Sequence, residues 1–302
     1  DRQLAAVEAG GILRDLAAEH GALRLTEVVR FSDPAEASAS LALREGRPEA
    51  LGFYLDAGRV HVGDLDTLSE DVFTAWQADR GRGLDSIMLA PTRELVSELN
   101  QRARAHRLGQ DQAPAGIPAR PAVRLGDGNQ ASIGDTVITR RNNRTLTTGE
   151  TAWVRNGDRW RITAVHRDGS VDVQHLRNHN QLTLPTDYIT ESVELGYATT
   201  IHTAQGVTAD TCHGLITGTE TRQQLYTMAT RGRHANHLHI QVAGDGQPHP
   251  LDHDSLTDHS AIEILERILE HDEQAVSATT HARQAREPAR LLAPAIAKYS
   301  DA

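Results

Sequence analysis

The sequence predicts an α/β protein: a parallel sheet with helices on its faces, a small antiparallel β-barrel inserted into it, and a helical tail behind. Three observations predict it. Residues 1–110 alternate strand-like and helix-like patterns, which is how a parallel sheet covered by helices is written. A stretch rich in Pro, Ala and Gly at 111–122 ends that pattern, and behind it the period shortens to that of strands and hairpins. The α/β pattern resumes near Leu195 and runs to Val242, after which the chain turns polar, His-rich and acidic. The expected divisions are 1–110 and 195–243 for the two parts of the α/β domain, 111–194 for the linker and barrel insert, and 244–302 for the tail.

Each element has a local reason. Leu23 to Val29 is a β-prone run leading into Arg30. Asp33-Pro34 then offers an N-cap with proline at the first helical position, and Gly46 is a natural stop. Leu68, Val72, Phe73 and Trp76 fall at i, i+4, i+5 and i+8, the apolar stripe of an amphipathic helix. Ser86–Ala90 is a compact apolar strand, and Pro91-Thr92 turns it into a helix carrying Leu95, Val96 and Leu99. In the insert, Thr136–Thr139, Ala152–Val154, Arg159–Val165 and Val171–Gln174 read as short strands, with Asn156-Gly157 and Asp168-Gly169 as hairpin signals. Leu225 to Arg233 reads as a helix ending in two arginines, followed by the strand Leu238–Val242. The tail is helical through Ile262, Leu265, Ile268 and Leu269.

Composition narrows the function classes. At 38% hydrophobic and 24% charged residues, the chain is ordinary for a water-soluble globular protein. No apolar run approaches the roughly 18 residues of a membrane span, so no membrane partner is expected. The single Cys212 excludes an internal disulfide framework and fits a reducing cytoplasm, where it is expected to fill a small core position. The chain opens on Asp1-Arg2-Gln3-Leu4 rather than Met and is expected to belong to a longer polypeptide. The net charge of −10 opposes whole-protein attraction to nucleic acid, but the charge is uneven. Ten arginines stand against six acids between Arg120 and Pro185, and nine acids against Arg267 between Asp245 and Glu273. A basic middle and an acidic tail are compatible with DNA binding, and equally with two solvated surfaces.

Two stretches carry the chemistry. In Thr200-Ile201-His202-Thr203-Ala204-Gln205-Gly206, a short helix would place His202 and Gln205 on one face, and Gly206 would let the backbone approach a ligand. The second is Ala229-Thr230-Arg231 at the end of the predicted helix. In this order the two resemble motifs V and VI of superfamily 1 DNA helicases, the second lacking one intervening residue. Asp1 to Val7 resembles the close of motif III with its glutamine at Gln3, and Val28-Val29-Arg30-Phe31 resembles motif IV with its arginine at Arg30. Leu89-Ala90-Pro91-Thr92 with Leu99-Asn100 resembles the strand-to-helix turn of the second motor lobe that touches single-stranded DNA. The insert resembles the SH3-like subdomain of RecD-like helicases. The wording around Gly196-Tyr197-Ala198 and Asp33 to Ala37 is most similar to the actinobacterial conjugative relaxase–helicases.

The resemblance implies a RecA-like second motor lobe with an SH3-like barrel, from an ATP-dependent helicase that unwinds plasmid DNA in conjugation. It implies catalytic roles for Arg30 and Arg231 toward the γ-phosphate, nucleotide contacts for Gln3 and Gly206, and DNA contacts for Thr92, Thr200 and His202. Arg140, Arg141 and Arg144 would line a strand's path along the barrel. No Gly-x-x-x-x-Gly-Lys-Ser/Thr occurs in the chain, so ATP and Mg2+ are expected to be held by the intact parent and not by this chain alone. The implied partners are single-stranded DNA and the first motor lobe and relaxase domain of the same polypeptide. Two other functions stay open: a RecD-like repair helicase, and a degenerate motor lobe kept as a DNA-binding module. The histidines at 234, 237, 239, 249 and 253 follow strand alternation rather than a metal-ligand spacing, and no metal is expected. Trp153 and Trp160 are expected to pack the barrel, with base stacking as the alternative.

Overall fold

The structure, a computed structural model, describes residues 30–110, 121–147, 152–242 and 253–272. The predicted strand Leu23–Val29 and Gln3 lie outside the described residues. The chain begins with helices α1 (Pro34–Glu45) and α2 (Glu49–Asp56), strand β1 (Val60–Gly63), helix α3 (Leu65–Gly81), strand β2 (Ser86–Ala90) and helix α4 (Arg93–Gln110). α1 starts and stops as its sequence predicts. The Asp33 side chain accepts from the Ala35 N–H, Pro34 opens the first turn, and Gly46 closes the helix at φ 72°.

The middle of the chain is all β. It runs through β3 (Ala122–Arg124), β4 (Gln130–Ser132), β5 (Thr136–Thr139), β6 (Asn143–Thr147), β7 (Trp153–Val154), β8 (Arg159–Val165), β9 (Val171–His175) and β10 (Gln181–Leu184). A short helix α5 (Thr186–Ser192) and strand β11 (Val193–Leu195) complete it. The principal sheet of the barrel has the order β10-β9-β8-β5-β11, all antiparallel. Asp168-Gly169 closes the β8–β9 hairpin, with the Gly169 N–H donating to the His166 carbonyl at 3.1 Å. Asn156-Gly157 does not close a hairpin. β7 pairs with β6 and β8 pairs with β5, so the strands flanking that turn part company. A turn dipeptide reports backbone direction, while long-range partners choose the pairing.

The parallel sheet then resumes with β12 (Ala198–Thr200), β13 (Ala209–Ile216), helix α6 (Arg222–Met228) and β14 (Gly232–Gln241), followed by helix α7 (His253–Glu270). Its order is β1-β14-β13-β2-β12, and every pairing is parallel. The sequence reading resumed this pattern at about Leu195, but Leu195 is the last residue of the barrel's β11, opposite Val137. Gly196 makes the crossing between the two sheets. A Cβ there would lie 2.7 Å from the Val137 carbonyl carbon, so the two sheets approach too closely for any side chain.

Both faces of the parallel sheet are covered, which is why Ser86-Ile87-Met88-Leu89-Ala90 is continuously buried. Met88 and Ala90 join Leu68, Val72, Phe73 and Trp76 of α3 and Leu99 of α4 in one apolar cluster, which continues into the barrel through Val137, Trp160 and Ile162. Ile87 and Leu89 face the other way, into a cluster with Leu43, Tyr54, Leu225, Leu265 and Ile268. Cys212 lies in that second cluster, and burial pushes its thiol up to about 12, as befits a small core residue. Trp160 is buried, whereas Trp153 is half-exposed with the guanidinium groups of Arg144 and Arg155 each 5.4 Å from its ring.

The face under α3 holds an unusual polar layer. His237 and His239 alternate onto it from β14 and stack with His61 of β1 and His213 of β13. The His213 Nε2 lies 2.8 Å from Asp79 Oδ2. Burial raises the Asp79 pKa, but hydrogen bonds from His213 and Thr211 outweigh it and hold the carboxyl well below the usual range. Burial also lowers His237 to about 3 and His239 well below 6.5, with the surrounding His213 and His61, and for His237 Arg59, adding to it. His61 is lowered too, against the pull of Asp71. His237 and His239 take up protons near pH 6.5 only when the chain unfolds, so stability falls as the pH drops below 6.5 towards 3. Asp79 acts in the same direction lower down, since its depressed pKa stabilises the fold only above its unfolded value near 3.8. The loss approaches about 1.4 kcal/mol per pH unit for each histidine that titrates only in the unfolded chain. A urea midpoint that did not move between about pH 7 and about pH 5 would falsify this.

Candidate functional site

Arg231 immediately precedes β14 at the N-terminal edge of the parallel sheet, where its carbonyl accepts from the Ala209 N–H at the start of β13 at 3.1 Å. The capping box of Thr221 and Gln224 starts α6, but the helix stops at Met228, so the sequence reading of a helix running to Arg233 is too long. The reason is the Thr230 hydroxyl, which donates to the Tyr226 carbonyl at 2.7 Å and draws the chain into the bend that feeds β14. Arg231 is 2% exposed. Its guanidinium donates to the Thr227 carbonyl at 2.9 Å, the Ala204 carbonyl at 3.2 Å and the Thr230 hydroxyl at 2.7 Å. Arg30 donates to the carbonyl of Thr230 from the other side.

No carboxylate among the described residues forms an ion pair with either arginine. Burial lowers the Arg231 pKa to about 10, and the neighbouring Arg30 cation adds to the effect. Arg30 is lowered by burial as well. Both stay charged at neutral pH. A buried cation and a half-buried one beside it, held only by neutral oxygens, are electrostatically incomplete, and an anion completes them.

Thr200 to Gly206 is also not the short helix expected. Ile201 to Gly206 forms successive turns, with the Ala204 N–H donating to the Thr200 carbonyl at 3.0 Å and Val207 to Ala204 at 3.0 Å. A spacing of three residues suits consecutive turns as well as a helix, and here the chain needs to reverse between β12 and β13. Gly206 lies away from Arg231, lining a small hollow with Asp85, Arg159 and Arg177. The carbonyl of Ala204 is what touches the arginine.

A cleft of about 590 Å³ opens between this turn, the start of α4 and the barrel, lined among others by Arg93, Asn100, Arg140, Glu194, Thr200 and Thr203. Three hydroxyls form a chain at its wall: Thr203 Oγ1 lies 2.6 Å from Thr199 Oγ1 and 2.7 Å from Thr200 Oγ1. Arg140 donates to Thr199 at 2.9 Å and pairs with Glu194 at 2.6 Å, so its charge positions the hydroxyls rather than standing free. Asn100 clamps the strand behind them, accepting from the Ala198 N–H at 2.8 Å and donating to the Ala198 carbonyl at 3.1 Å. Thr203 and Arg93 were missed in the sequence, where neither stands out from its neighbours.

The other residues expected at DNA lie off this lining. Thr92 caps α4, its hydroxyl accepting from the Leu95 N–H at 3.3 Å. His202 is exposed. Arg141 pairs with Glu191 at 3.1 Å over the Tyr188 ring, and Arg144 rests on Trp153.

One family model coincides with the barrel, and other known proteins are similar to longer parts of the chain. A family model described as an AAA domain matches residues 1–65, and one described as the Rv2311 SH3-like barrel domain matches residues 123–194. The probable conjugal transfer protein TraA of Sinorhizobium fredii is 27% identical over 235 residues, 76% of this chain and 20% of that protein. The conjugal transfer protein TraA of Agrobacterium fabrum is 28% identical over 235 residues. The uncharacterized protein Rv2311 of Mycobacterium tuberculosis is 33% identical over 96 residues, 31% of this chain and 55% of that protein. The chain thus spans about half the length of Rv2311 and a fifth of the TraA proteins. Among solved structures, a Pif1 helicase from Bacteroides in complex with ADP-AlF3 and ssDNA aligns with 80% of this chain and 56% of that chain, at 16% identity and a TM-score of 0.42. The chain is thus similar to the TraA conjugal transfer proteins over most of its length, and to AAA and SH3-like barrel families over residues 1–65 and 123–194.

Proposed function

We propose that the chain is the second motor lobe of an ATP-dependent DNA helicase that moves on single-stranded DNA during conjugative transfer. The observation that carries the proposal is the pair at Thr230, Arg231 buried and Arg30 half-buried, neither paired with a carboxylate of the described residues. In phosphoryl transfer, charge builds on the γ-phosphate oxygens, and guanidinium forks aimed from a facing lobe stabilise it. The two arginines fit that group. Nothing in the chain supplies the phosphate loop, so ATP and Mg2+ would be held by the first motor lobe, with Arg30 and Arg231 closing on the nucleotide from this side.

DNA would run through the cleft at Thr200 and Thr203, whose hydroxyls can donate to phosphate oxygens. The turn that presents them also carries the Ala204 carbonyl bonded to Arg231. DNA occupancy and the position of the arginine are therefore linked through two adjacent residues. In the full-length helicase, Thr200→Ala should weaken single-stranded DNA binding by about tenfold, the order expected for losing a hydrogen bond to a charged group. His202→Ala should cost less, since His202 lies off the cleft lining. Fluorescence anisotropy with a labelled oligothymidine measures both. Wild-type affinity in Thr200→Ala would remove the cleft from the DNA path.

A further inference from the structure

We propose that a second pocket, at the opposite end of α4 from the Thr200 cleft, binds a phosphate group, carried either by a nucleic-acid strand or by a free phosphate ester. The pocket has a volume of about 430 Å³ and lies between the C-terminal ends of α3 and α4 and the barrel strand β8. Trp76, Gln77, Arg80, His106, Arg107 and Arg161 line it. Its size falls within the roughly 300–1,000 Å³ of small-ligand sites and exceeds what a bare ion needs.

The argument rests on which charges are already paired. Asp135 is taken by Arg104, Arg107 and the Tyr197 hydroxyl. Asp85 is taken by Arg159 at 2.8 Å, and Asp79 by His213, Thr211 and Arg82. Every carboxylate near the pocket therefore has its cation. Arg80 and Arg161 are left over, and the side chain of neither makes a hydrogen bond or ion pair among the described residues. Burial lowers the Arg80 pKa, with the Arg159 and Arg161 cations adding to it and Asp85 opposing.

The half-buried Arg80 guanidinium loses hydration without gaining a partner, and the exposed Arg161 cation beside it adds repulsion. A phosphate relieves both at once, because its oxygens match the guanidinium fork in a way that a single carboxylate already in use cannot. The rim adds neutral polar groups: the amides of Gln77 and Gln110 lie 2.8 and 3.2 Å from His106 Nε2. The site is distinct from the Thr200 cleft: no residue lines both, and along α4 the nearest lining residues, Asn100 and His106, are six residues or about 9 Å of helix apart.

The test titrates the 302-residue chain with inorganic pyrophosphate and, separately, with a short oligothymidine at low salt, by calorimetry. The same titrations are made on the Arg80→Gln/Arg161→Gln double variant, and both are repeated in an Arg30→Gln background to remove the arginine pair at Thr230. The double variant should bind at least one probe about tenfold or more weakly, in either background, with an unchanged circular dichroism spectrum. Weakening for both probes identifies a strand phosphate, and weakening for pyrophosphate alone identifies a free phosphate ester. Arg161→Gln by itself, at an exposed strand position, carries the test if the double variant does not fold. In the Arg30→Gln background, pyrophosphate should also raise the melting temperature of the protein that keeps Arg80 and Arg161 and not that of the double variant. Equal affinity of the wild type and the folded variant for both probes would overturn the proposal.

Discussion

Replacing Arg231 by alanine in the full-length helicase is expected to lower ATP turnover by about 10³-fold or more, roughly 4 kcal/mol of transition-state stabilisation. A charge at a helix end would cost under about 1 kcal/mol. α6 ends at Met228 and Arg231 lies beyond it, 2% exposed and bonded to Thr227, Ala204 and Thr230. None of those oxygens is charged, so the side chain is held in place with its cation uncompensated. Single-stranded DNA affinity should change little, since the Thr199, Thr200 and Thr203 hydroxyls are fixed by one another and by Arg140. Arg231→Lys should not restore the rate, because an ammonium cannot reproduce the fork that the three acceptors hold. Steady-state ATPase with saturating single-stranded DNA decides it. If Arg231→Ala keeps more than a tenth of the wild-type rate, the arginine is structural and the lobe is a degenerate, DNA-binding one.

Asp135→Ala should destabilise the protein by about 3–5 kcal/mol, the scale for removing one partner of a buried ionic network. Asp135 is fully buried at the start of β5, in the barrel. It accepts from Arg107 at 2.7 Å and Arg104 at 3.2 Å, both on α4, and from the Tyr197 hydroxyl at 2.6 Å. It also accepts from the Ser132 N–H at 2.7 Å. One carboxylate therefore ties the barrel to the parallel-sheet domain. Its removal leaves two arginines and a phenol facing a cavity. Asp135→Asn should cost less, since it keeps an acceptor, and a double-mutant cycle with Arg107→Ala should show strong coupling. Urea denaturation measures all three, and a loss under about 1 kcal/mol for Asp135→Ala would mean that apolar packing through Trp160 and Ile162 alone joins the two parts.

What was legible in the sequence was what repeats locally. The stripe Leu68, Val72, Phe73 and Trp76 is buried on α3, Asp33 and Gly46 bound α1, and Ser86–Ala90 is the buried strand its composition describes. The Asp168-Gly169 hairpin and the period switch that sets off the barrel were equally plain. Motif order brought Arg30, Thr200 and Arg231 to notice, although Gln3 lies outside the described residues and the helix expected over Thr200–Gly206 is a run of turns.

The tertiary structure alone decided which of the barrel's many arginines are free. Arg140 is taken by Glu194, Arg141 by Glu191 and Arg159 by Asp85, whereas Arg161 faces a pocket without an acid. It also decided that Arg30 and Arg231, 201 positions apart, meet at Thr230, one at its carbonyl and the other at its hydroxyl, and that four histidines from three strands stack over Asp79. The physical reason is one of range. Helical and strand periods, caps and turns are set by neighbours within a few residues, so a linear reading finds them. Whether a charge is paired, and with what, depends on contacts between segments far apart in the chain, and burial then fixes how much each unpaired charge matters.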